Sequence, residues 1–476
     1  MPPTIKTLSR PVWLLTLAYT FIRVLSFATY TYPVANEIIA GVLVGVFVYI
    51  CFKHPKLGWL ILVSELVLDG VGHFFELQNL LLRTWFLGTF GLIWLVTKIR
   101  QKDFKIELPR PIIFSLIGLM VVIGWSIISG FLSQHTTIPI LQDAILFCFL
   151  FLLFPAWEFA RDTEKLLIPS LKAWIIGSTA FSAITFFIYS SGLGHLPDTY
   201  YHWFRNIAAG KITDLGNHFF RIVLPEHLFI VPIILVIAAY LIQQPIPTGR
   251  DKKLWGLFIC CLFILTLNFS RIYWLALAVG LLVLAIKHSL KHWLTILAIT
   301  FTSVVIIFSS THFLASHGES FGFELLGLKI STATAPQTDT SGAIRLAMLP
   351  DIFHQLKTSP WFGSGLGATV TYTDPTTHQP VTRTQFDWGY FEMLAELGVV
   401  GTIIFFCFFF TVLYYLTRFA YFSTNIDPVL TRGLLAGATA LLVINITTPA
   451  LFHGFGMLYI VALLVVINRN RSGEKK

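Results

Sequence analysis

Residues 390–417, YFEMLAELGVVGTIIFFCFFFTVLYYLT, decide the fold class of this chain. From Gly398 onward this stretch carries no charged side chain, and a helix needs roughly 20 apolar residues to cross a bilayer. Similar runs recur along all 476 residues, of which 55% are hydrophobic and only 12% are charged. A soluble domain carries about 25% charged residues. Soluble, disordered, fibrous and disulfide-scaffold proteins are therefore excluded.

A window of about 20 residues moved along the chain finds about fourteen candidate membrane helices. The first, which contains Arg23, and the short pairs at 254–287 and 433–467 are the least secure, so twelve spans is an alternative. The first run follows Lys6 and Arg10 like a signal peptide but lacks a small-residue cleavage pattern, which favours an anchor. The spans lie near 12–31, 36–52, 57–74, 80–97, 112–132, 139–157, 172–190, 228–243, 254–269, 272–287, 293–310, 390–417, 433–447 and 451–467.

Two segments exceed ordinary connectors, and we name them the first long segment (191–227) and the second long segment (311–389). Loops of this length are usually functional or disordered, and the aromatics and regular apolar spacing in both favour folded caps. We therefore predict an all-α polytopic membrane protein with about 12–14 transmembrane helices and a mostly helical extracytoplasmic cap. Its parts are membrane helices at 1–190, the first long segment, central membrane helices at 228–310, the second long segment, and membrane helices with a cytoplasmic tail at 390–476.

The distribution of basic residues predicts the orientation. Most of the 33 Lys and Arg residues fall in loops that share one side if the N-terminus is cytoplasmic, and basic loops stay in the cytoplasm. Both termini are then cytoplasmic and both long segments face outward. The formal net charge of +9 is explained by topology and contact with anionic lipids, which leaves no reason to expect a nucleic-acid partner. None of the five cysteines has a metal-binding spacing.

Three arginines are candidates for binding an anion: Arg221, Arg271 and Arg345. Arg221 and Arg271 lie where a span meets the outer surface, and an arginine at that depth is costly unless it is paired or lines a wet cavity. A guanidinium binds two phosphate oxygens at once, so a diphosphate would suit these positions. The alternative is that each arginine reaches the lipid headgroups or pairs with a nearby carboxylate.

Three patches of sequence occur in an order that is typical of one superfamily. Residues 269–276, FSRIYWLA, resemble its SRxxWLAL segment. Residues 341–345, SGAIR, and 358–367, TSPWFGSGLG, resemble SGR followed by P-x-x-G-x-G-x-G. Residues 387–401, DWGYFEMLAELGVVG, are similar to HNxYLEILAELGxxG. Together these patches resemble the O-antigen ligase and O-antigen polymerase superfamily.

This resemblance implies a metal-independent glycosyltransferase of the bacterial inner membrane that needs no cofactor. It would move a glycan from a polyprenyl diphosphate carrier to an acceptor hydroxyl, at the extracytoplasmic face. The implied partners are the lipid-linked donor, a glycan, lipid or protein acceptor, and membrane lipids. Whether the chain acts as a ligase or a polymerase, which sugar it uses and its oligomeric state stay open.

The chain departs from the family pattern at Asp387, where ligases of this superfamily carry a histidine. An inverting transfer needs a base on the acceptor hydroxyl and cationic stabilisation of the departing diphosphate. Asp387 is our candidate for the base, and the alternative is that it caps the helix expected to start at Trp388. His378 is a second candidate base. If Asp387 is only a cap, a third interpretation applies, in which the chain has no activity and acts as a scaffold of an assembly complex.

Two further groups near these motifs allow two interpretations each. Gly363, Gly365 and Gly367 could offer backbone N–H groups to phosphate, but no helix with a lysine follows, which favours a simple turn. Glu392 and Glu396 share one helical face. We expect them to anchor the helix by pairing with Arg345 or Arg383, and not to act as catalytic acids.

The third span suggests a different class of function, a transporter or flippase. Acidic and histidine side chains repeat there at four-residue intervals and share one helical face, and Asp143 could belong to the same group; they are Glu65, Asp69 and His73. Buried carboxylates on one face are typical of proton or ion relays. The alternative is a polar seam against Arg23 or Arg83 in neighbouring spans.

Overall fold

The computed structural model describes residues 9–68, 74–78, 80–101, 108–192, 196–243, 252–334, 337, 340–422 and 428–474. Apolar runs without internal charges fold as helices because, in lipid, a helix satisfies every backbone hydrogen bond within its own segment. The helices of the first half are α1 (Ser9–Thr29), α2 (Pro33–Lys53), α3 (Pro55–Leu68), α4 (Leu82–Gln101), α5 (Arg110–Leu132), α6 (Thr137–Cys148), α7 (Leu153–Glu158), α8 (Ala160–Ser190) and α9 (Leu196–Asn206).

The second half is also helical. Its helices are α10 (Ile230–Gln243), α11 (Lys252–Asn268), α12 (Arg271–Ala285), α13 (Leu290–Ala315), α14 (Phe323–Thr334), α15 (Thr340–Thr358), α16 (Gly389–Phe422), α17 (Pro428–Ile444) and α18 (Gly454–Glu474). Each of the expected spans overlaps one of these helices, and the span near 139–157 is divided between α6 and α7 by a 3-10 turn at Phe149–Leu152. The fold is therefore the all-α polytopic membrane protein that the hydropathy predicts.

Eight helices within the described residues are long and apolar enough to cross a membrane. They are Pro11–Thr29, Pro33–Lys53, Arg110–Leu132, Thr137–Glu158, Asp162–Ser190, Pro225–Gln243, Leu290–Ala315 and Gly389–Phe422. Three shorter apolar helices accompany them, at Arg271–Ala285, Pro428–Ile444 and Gly454–Arg469. All three lie among the spans that the sequence marks as least secure, whereas the first of those spans, which contains Arg23, is one of the eight long helices.

Small residues allow close helix packing at the centre of the molecule. Helix α10 packs against α17, which also contacts α12. A side chain at Gly433 would overlap the backbone of Val236, and one at Gly437 would overlap the Tyr459 hydroxyl. Lipid tails are as apolar as leucine, so membrane helices associate through such close contacts and not through a hydrophobic driving force.

Two arginines of the N-terminal helices form buried ion pairs. Arg23 Nη2 is 3.1 Å from Glu226 Oε1, and Arg83 Nε is 3.3 Å from Glu65 Oε1. Glu65 thus contacts one of the two arginines named for the polar seam, while Asp69 and His73 lie outside the described residues. Asp143 belongs elsewhere, because its Oδ2 accepts a hydrogen bond from the Gly367 amide at 2.9 Å. The two described carboxylates named for the relay, Glu65 and Asp143, therefore have different partners.

The two long segments fold into small units of mixed structure. In the first, α9 is followed by a hairpin of β3 (Lys211–Asp214) and β4 (Phe220–Val223), and in the second, α14 and α15 are followed by a hairpin of β5 (Val370–Thr373) and β6 (Pro380–Arg383). A third, two-residue hairpin joins β1 (Glu76–Leu77) to β2 (Leu80–Leu81) ahead of α4. The hairpins are short additions to a helical cap.

Each long segment has an apolar core of its own. In the first, Trp203, Phe219 and Ile222 are buried in a cluster that also includes Phe269 and Phe308. Phe269 lies in the turn between α11 and α12 and Phe308 lies on α13, so the cluster fixes the β3–β4 hairpin against these elements. In the second, a separate cluster joins α15 to the hairpin and to the residues before α16; its buried members include Met348, Ile352, Val370, Tyr372 and Phe386. The polar side chains of both segments are therefore held by ordered structure.

Candidate functional site

The β3–β4 hairpin places two cations on one face. The register pairs Lys211 with Val223 and Thr213 with Arg221. Side chains two residues apart on a strand share a face, so Lys211 and Arg221 are diagonal neighbours, a relation that brings long side chains within reach of each other. The opposite face carries Ile222, which is fully buried. The alternation of polar and apolar residues thus anchors the hairpin while it presents the cations.

Backbone carbonyls fix the orientation of Arg221 and Arg271. Arg221 Nε donates a hydrogen bond of 2.7 Å to the carbonyl of Asn268, the last residue of α11. Arg271 begins α12 three residues later, and its Nη1 donates to the Lys329 carbonyl on α14 at 3.3 Å. The first long segment, the α11–α12 turn and the second long segment therefore meet at these two guanidinium groups.

Asp387 lies beside a third cation, Arg383. Its Oδ2 is 3.8 Å from Arg383 Nη1, and both side chains are half-buried. The Arg383 guanidinium also stands 5.4 Å from the ring centroid of Tyr372. Asp387 has a φ of 54°, a left-handed conformation in which aspartate is enriched among non-glycine residues.

Helix α16 does not use Asp387 as its N-cap. It begins at Gly389, so Trp388 holds the cap position, and the Glu392 amide donates to the Trp388 carbonyl at 2.9 Å. The carboxylate contact that the structure records for Asp387 goes to Arg383. The residue thus lies next to the cations and outside the helix end, which leaves its carboxylate available for chemistry.

The charges of the two long segments act on one another at Lys211. Partial burial lowers the pKa of Lys211, the nearby Asp387 opposes that shift, and Arg205, Arg221 and Arg383 add to it. Lys211 is exposed, but the protein around it is dense enough to disfavour its charged form. The cations that act on Lys211 outnumber the one carboxylate, and such an excess of positive charge stabilises an anion.

The backbone of Arg345 is hydrogen-bonded to Trp388, the residue that follows Asp387. The indole Nε1 of Trp388 donates to the Arg345 carbonyl at 3.0 Å, which ties α15 to the residue that follows Asp387. A hydrogen bond thus ties Trp388, the neighbour of Asp387, to Arg345, and the charges of Asp387 and Arg221 both act on Lys211. The structure adds Lys211, Arg205 and Arg383 to the region, and these were not in our set of site residues.

The glycine loop at 363–367 is a turn and not a phosphate cradle. The amide of Gly363 donates to the Ser359 carbonyl at 3.0 Å, that of Gly365 to the Glu396 carbonyl at 3.1 Å, and that of Gly367 to Asp143 at 2.9 Å. All three N–H groups are occupied. Gly365 has a φ of 92°, and a side chain there would overlap the backbone of Gly130 on α5, so only glycine fits this contact.

The two glutamates of α16 contact groups other than the arginines we expected. Glu392 Oε2 accepts from the Phe386 amide at 3.0 Å, which orders the residue next to Asp387. Glu396 is buried and shares a side-chain hydrogen bond with Asp143. Arg383 pairs with Asp387 instead. Both glutamates are buried, so the helix face that carries them packs into the protein.

Helix α16 is interrupted at Gly398, whose φ of 67° and ψ of −177° are not helical. The amides of Val399 and Val400 donate instead to the carbonyls of Pro360 and Trp361, at 2.9 and 3.1 Å. Irregular backbone at a membrane helix is tolerated where protein satisfies its polar groups. The short first part of α16 can therefore take the orientation that the Asp387 region needs, independently of the long apolar second part.

His378 lies at the tip of the β5–β6 hairpin and is exposed. Arg383 pairs with Val370 at the opposite end of the hairpin, and three residues of strand span about 10 Å. The tip is thus directed away from the Arg383–Asp387 pair. Among the residues that the structure describes, no group of three or more His, Cys, Asp or Glu side chains could hold a metal ion.

A model of one protein family matches this chain. The family is described as O-antigen ligase, and the match covers residues 256–406, which include Arg271, Arg345 and Asp387 but not Arg221. A search of curated proteins finds no match to the chain. Residues 256–406 are therefore similar to the O-antigen ligase family, in agreement with the superfamily that the three sequence motifs resemble.

Proposed function

We propose that this chain transfers a glycan from a polyprenyl diphosphate carrier to an acceptor hydroxyl, without a metal ion, at the extracytoplasmic face of the bacterial inner membrane. The main support for the proposal is that cations from both long segments lie near Asp387. The charges of Asp387, Arg205, Arg221 and Arg383 all shift the pKa of Lys211. The carrier's isoprenoid tail would lie in the lipid beside the spans. Both termini would then be cytoplasmic.

Arg221, Arg271 and Arg345 are the proposed ligands of the diphosphate. Negative charge builds up on the bridging oxygen as the bond to the sugar breaks, and fixed cations stabilise that charge without reorganisation. The carbonyl contacts of Arg221 and Arg271 hold each guanidinium in place.

Asp387 is the proposed base. The acceptor hydroxyl oxygen attacks the anomeric carbon, its proton moves to the Asp387 carboxylate, and the carbon–oxygen bond to the diphosphate breaks with its electron pair on the leaving group. The protonated Asp387 then returns its proton to water. Holding donor and acceptor in one geometry would supply a large part of the rate enhancement, and a general base adds about 100- to 10,000-fold.

The test is transfer in membranes from a labelled polyprenyl-diphosphate glycan isolated from the cells that carry this chain. We expect Arg271→Ala and Asp387→Asn to lose transfer at matched expression. The control for Arg271→Ala is Arg418→Ala, which removes the same charge from the far end of α16. The control for Asp387→Asn is Asp374→Asn at the tip of the β5–β6 hairpin. Both controls should transfer normally.

The other outcomes each overturn a defined part of the proposal. If Arg271→Ala abolishes transfer but Asp387→Asn does not, the base is another group, and His378→Ala is the next variant. If the native chain transfers nothing from that donor, while solute flux in proteoliposomes depends on Glu65, the transporter interpretation replaces the transferase.

A further inference from the structure

A polar cavity of about 350 Å³ opens between the turn of the β3–β4 hairpin and the end of α13. Its lining comes from both long segments and consists of Asp214, Asn217, His218, Ser316, His317 and Glu319. The rings of His218 and His317 stand 5.8 Å apart across it. None of these residues belongs to the proposed diphosphate site.

The cavity is built from ordered backbone. Asp214 Oδ1 accepts from the Gly216 amide at 2.8 Å, which shapes the hairpin turn. Ser316 Oγ accepts from the Ser320 amide at 3.0 Å, which closes the opposite loop. The ring of Phe313 packs against Gly318, between His317 and Glu319. These contacts hold the two walls of the cavity in place without a ligand.

The chemistry of the lining selects a class of ligand. It contains no lysine or arginine, so it is not suited to a phosphate. Among the described residues, no group of three or more His, Cys, Asp or Glu side chains could hold a metal ion, so the lining does not indicate a bound cation either. Two carboxylates accept hydrogen bonds, an asparagine and two histidines both donate and accept them, and this mixture matches a neutral molecule with many hydroxyl groups.

The position of the cavity relates it to the proposed reaction. Lys211 and Asp214 are the two ends of β3, about 10 Å apart at the rise of a strand. The end with Lys211 faces the cations around Asp387, and the end with Asp214 lines the cavity. A glycan whose diphosphate is held at the first end would pass along the hairpin and place a later sugar in the cavity.

We propose that this cavity is a sugar subsite that binds a unit of the donor glycan beyond the one joined to the diphosphate. The inference rests on the proposed function, because it takes the diphosphate position from it. His317 and Glu319 are specificity residues that donate to and accept from sugar hydroxyls, while the reacting atoms lie at the other end of β3. The cavity thus selects donors by their glycan and not by their lipid.

The experiment compares two lipids on purified chain in lipid nanodiscs. One is bare polyprenyl diphosphate, and the other is the same lipid carrying the glycan isolated from the cells that express this chain. The variants are His317→Ala and Glu319→Gln, separately and combined. Matched controls are His202→Ala on α9 and Glu324→Gln on α14, both exposed and outside the cavity.

We expect the combined variant to weaken binding of the glycan-bearing lipid about tenfold, which corresponds to about 1.4 kcal/mol. Binding of the bare lipid should match that of the native chain, and this agreement also shows that the variant is folded. Both controls should bind both lipids normally. An N217A variant, which removes a hydrogen-bonding group from the hairpin wall, should behave like the combined variant.

Two different failures are distinguishable. If the native chain and the cavity variants bind the glycan-bearing lipid equally, while Arg271→Ala loses both lipids, the subsite is refuted and the proposed function stands. If the native chain binds neither lipid, the proposed function fails and the subsite with it. Equal loss of both lipids in the cavity variants also refutes the subsite, since the effect would not depend on the sugar.

Discussion

Replacing Gly130 by alanine should destabilise the protein, whereas the same change at Gly124 should not. Both glycines lie on α5, six residues apart. A side chain at Gly130 would overlap the carbonyl oxygen of Leu366 in the glycine loop, and one at Gly124 would have no atom within 4 Å. The pair therefore isolates the contact between α5 and the loop from every general effect of the substitution.

The magnitude follows from the contacts that Leu366 would lose. Its amide donates to the Ser126 carbonyl at 3.0 Å, and its own carbonyl accepts from His135 Nδ1 at 2.9 Å. Each such hydrogen bond contributes about 0.5–1.5 kcal/mol, so their loss costs about 1–3 kcal/mol. Alanine favours a helix over glycine by about 1 kcal/mol, but this gain applies to both variants and cancels between them.

The measurement is the thermal unfolding midpoint of both variants in the same detergent, alongside transfer activity. We expect Gly130→Ala to unfold at a temperature a few degrees lower than Gly124→Ala, and its transfer to fall because the loop leads into the β5–β6 hairpin. Equal midpoints would refute the view that the loop is held by close contact with α5.

The other predictions concern charge. Lys211 carries a pKa that burial lowers and Asp387 raises, so Asp387→Asn should lower that pKa further and Arg205→Gln should raise it. Lys211 attracts phosphate only when protonated, so affinity for bare polyprenyl diphosphate should fall as the pH rises. We expect this fall at a lower pH in Asp387→Asn than in the native chain, and at a higher pH in Arg205→Gln. Glu65→Gln should cost about 3–5 kcal/mol of unfolding free energy, because it leaves the buried Arg83 charge without its 3.3 Å partner. Denaturation midpoints test this change, and Glu65→Leu combined with Arg83→Met should recover most of the loss.

Hydropathy predicted the membrane helices well because it is a local property. Whether residues 112–132 can cross a bilayer depends on those residues alone, and α5 occupies Arg110–Leu132. The family motifs could likewise be recognised because each lies within a short stretch of sequence. The position of Arg221 ahead of an apolar run also followed from neighbouring residues.

Contacts between distant segments were not predictable in this way. Glu392 was expected to meet an arginine, yet its partner is the amide of Phe386, because the fold turns that helix face inward. Lys211 was not among the candidate site residues. The available signal was the alternation in Lys211-Ile212-Thr213 and Phe220-Arg221-Ile222, which predicts a hairpin with both cations on one face, but the approach of Asp387 depends on a segment more than 170 residues away.

The hydrogen bond between the glycine loop and Asp143 matters while the chain is being synthesised. Asp143 lies on a membrane helix, and its partner Gly367 is 224 residues later in the chain. At about 5–20 residues per second of synthesis, the helix waits about 10–45 s for that partner. During this interval a carboxyl group would face lipid without its hydrogen bond. The nascent chain must therefore keep α5 and α6 beside a polar neighbour, at the insertion machinery or a helper protein, until the second long segment arrives.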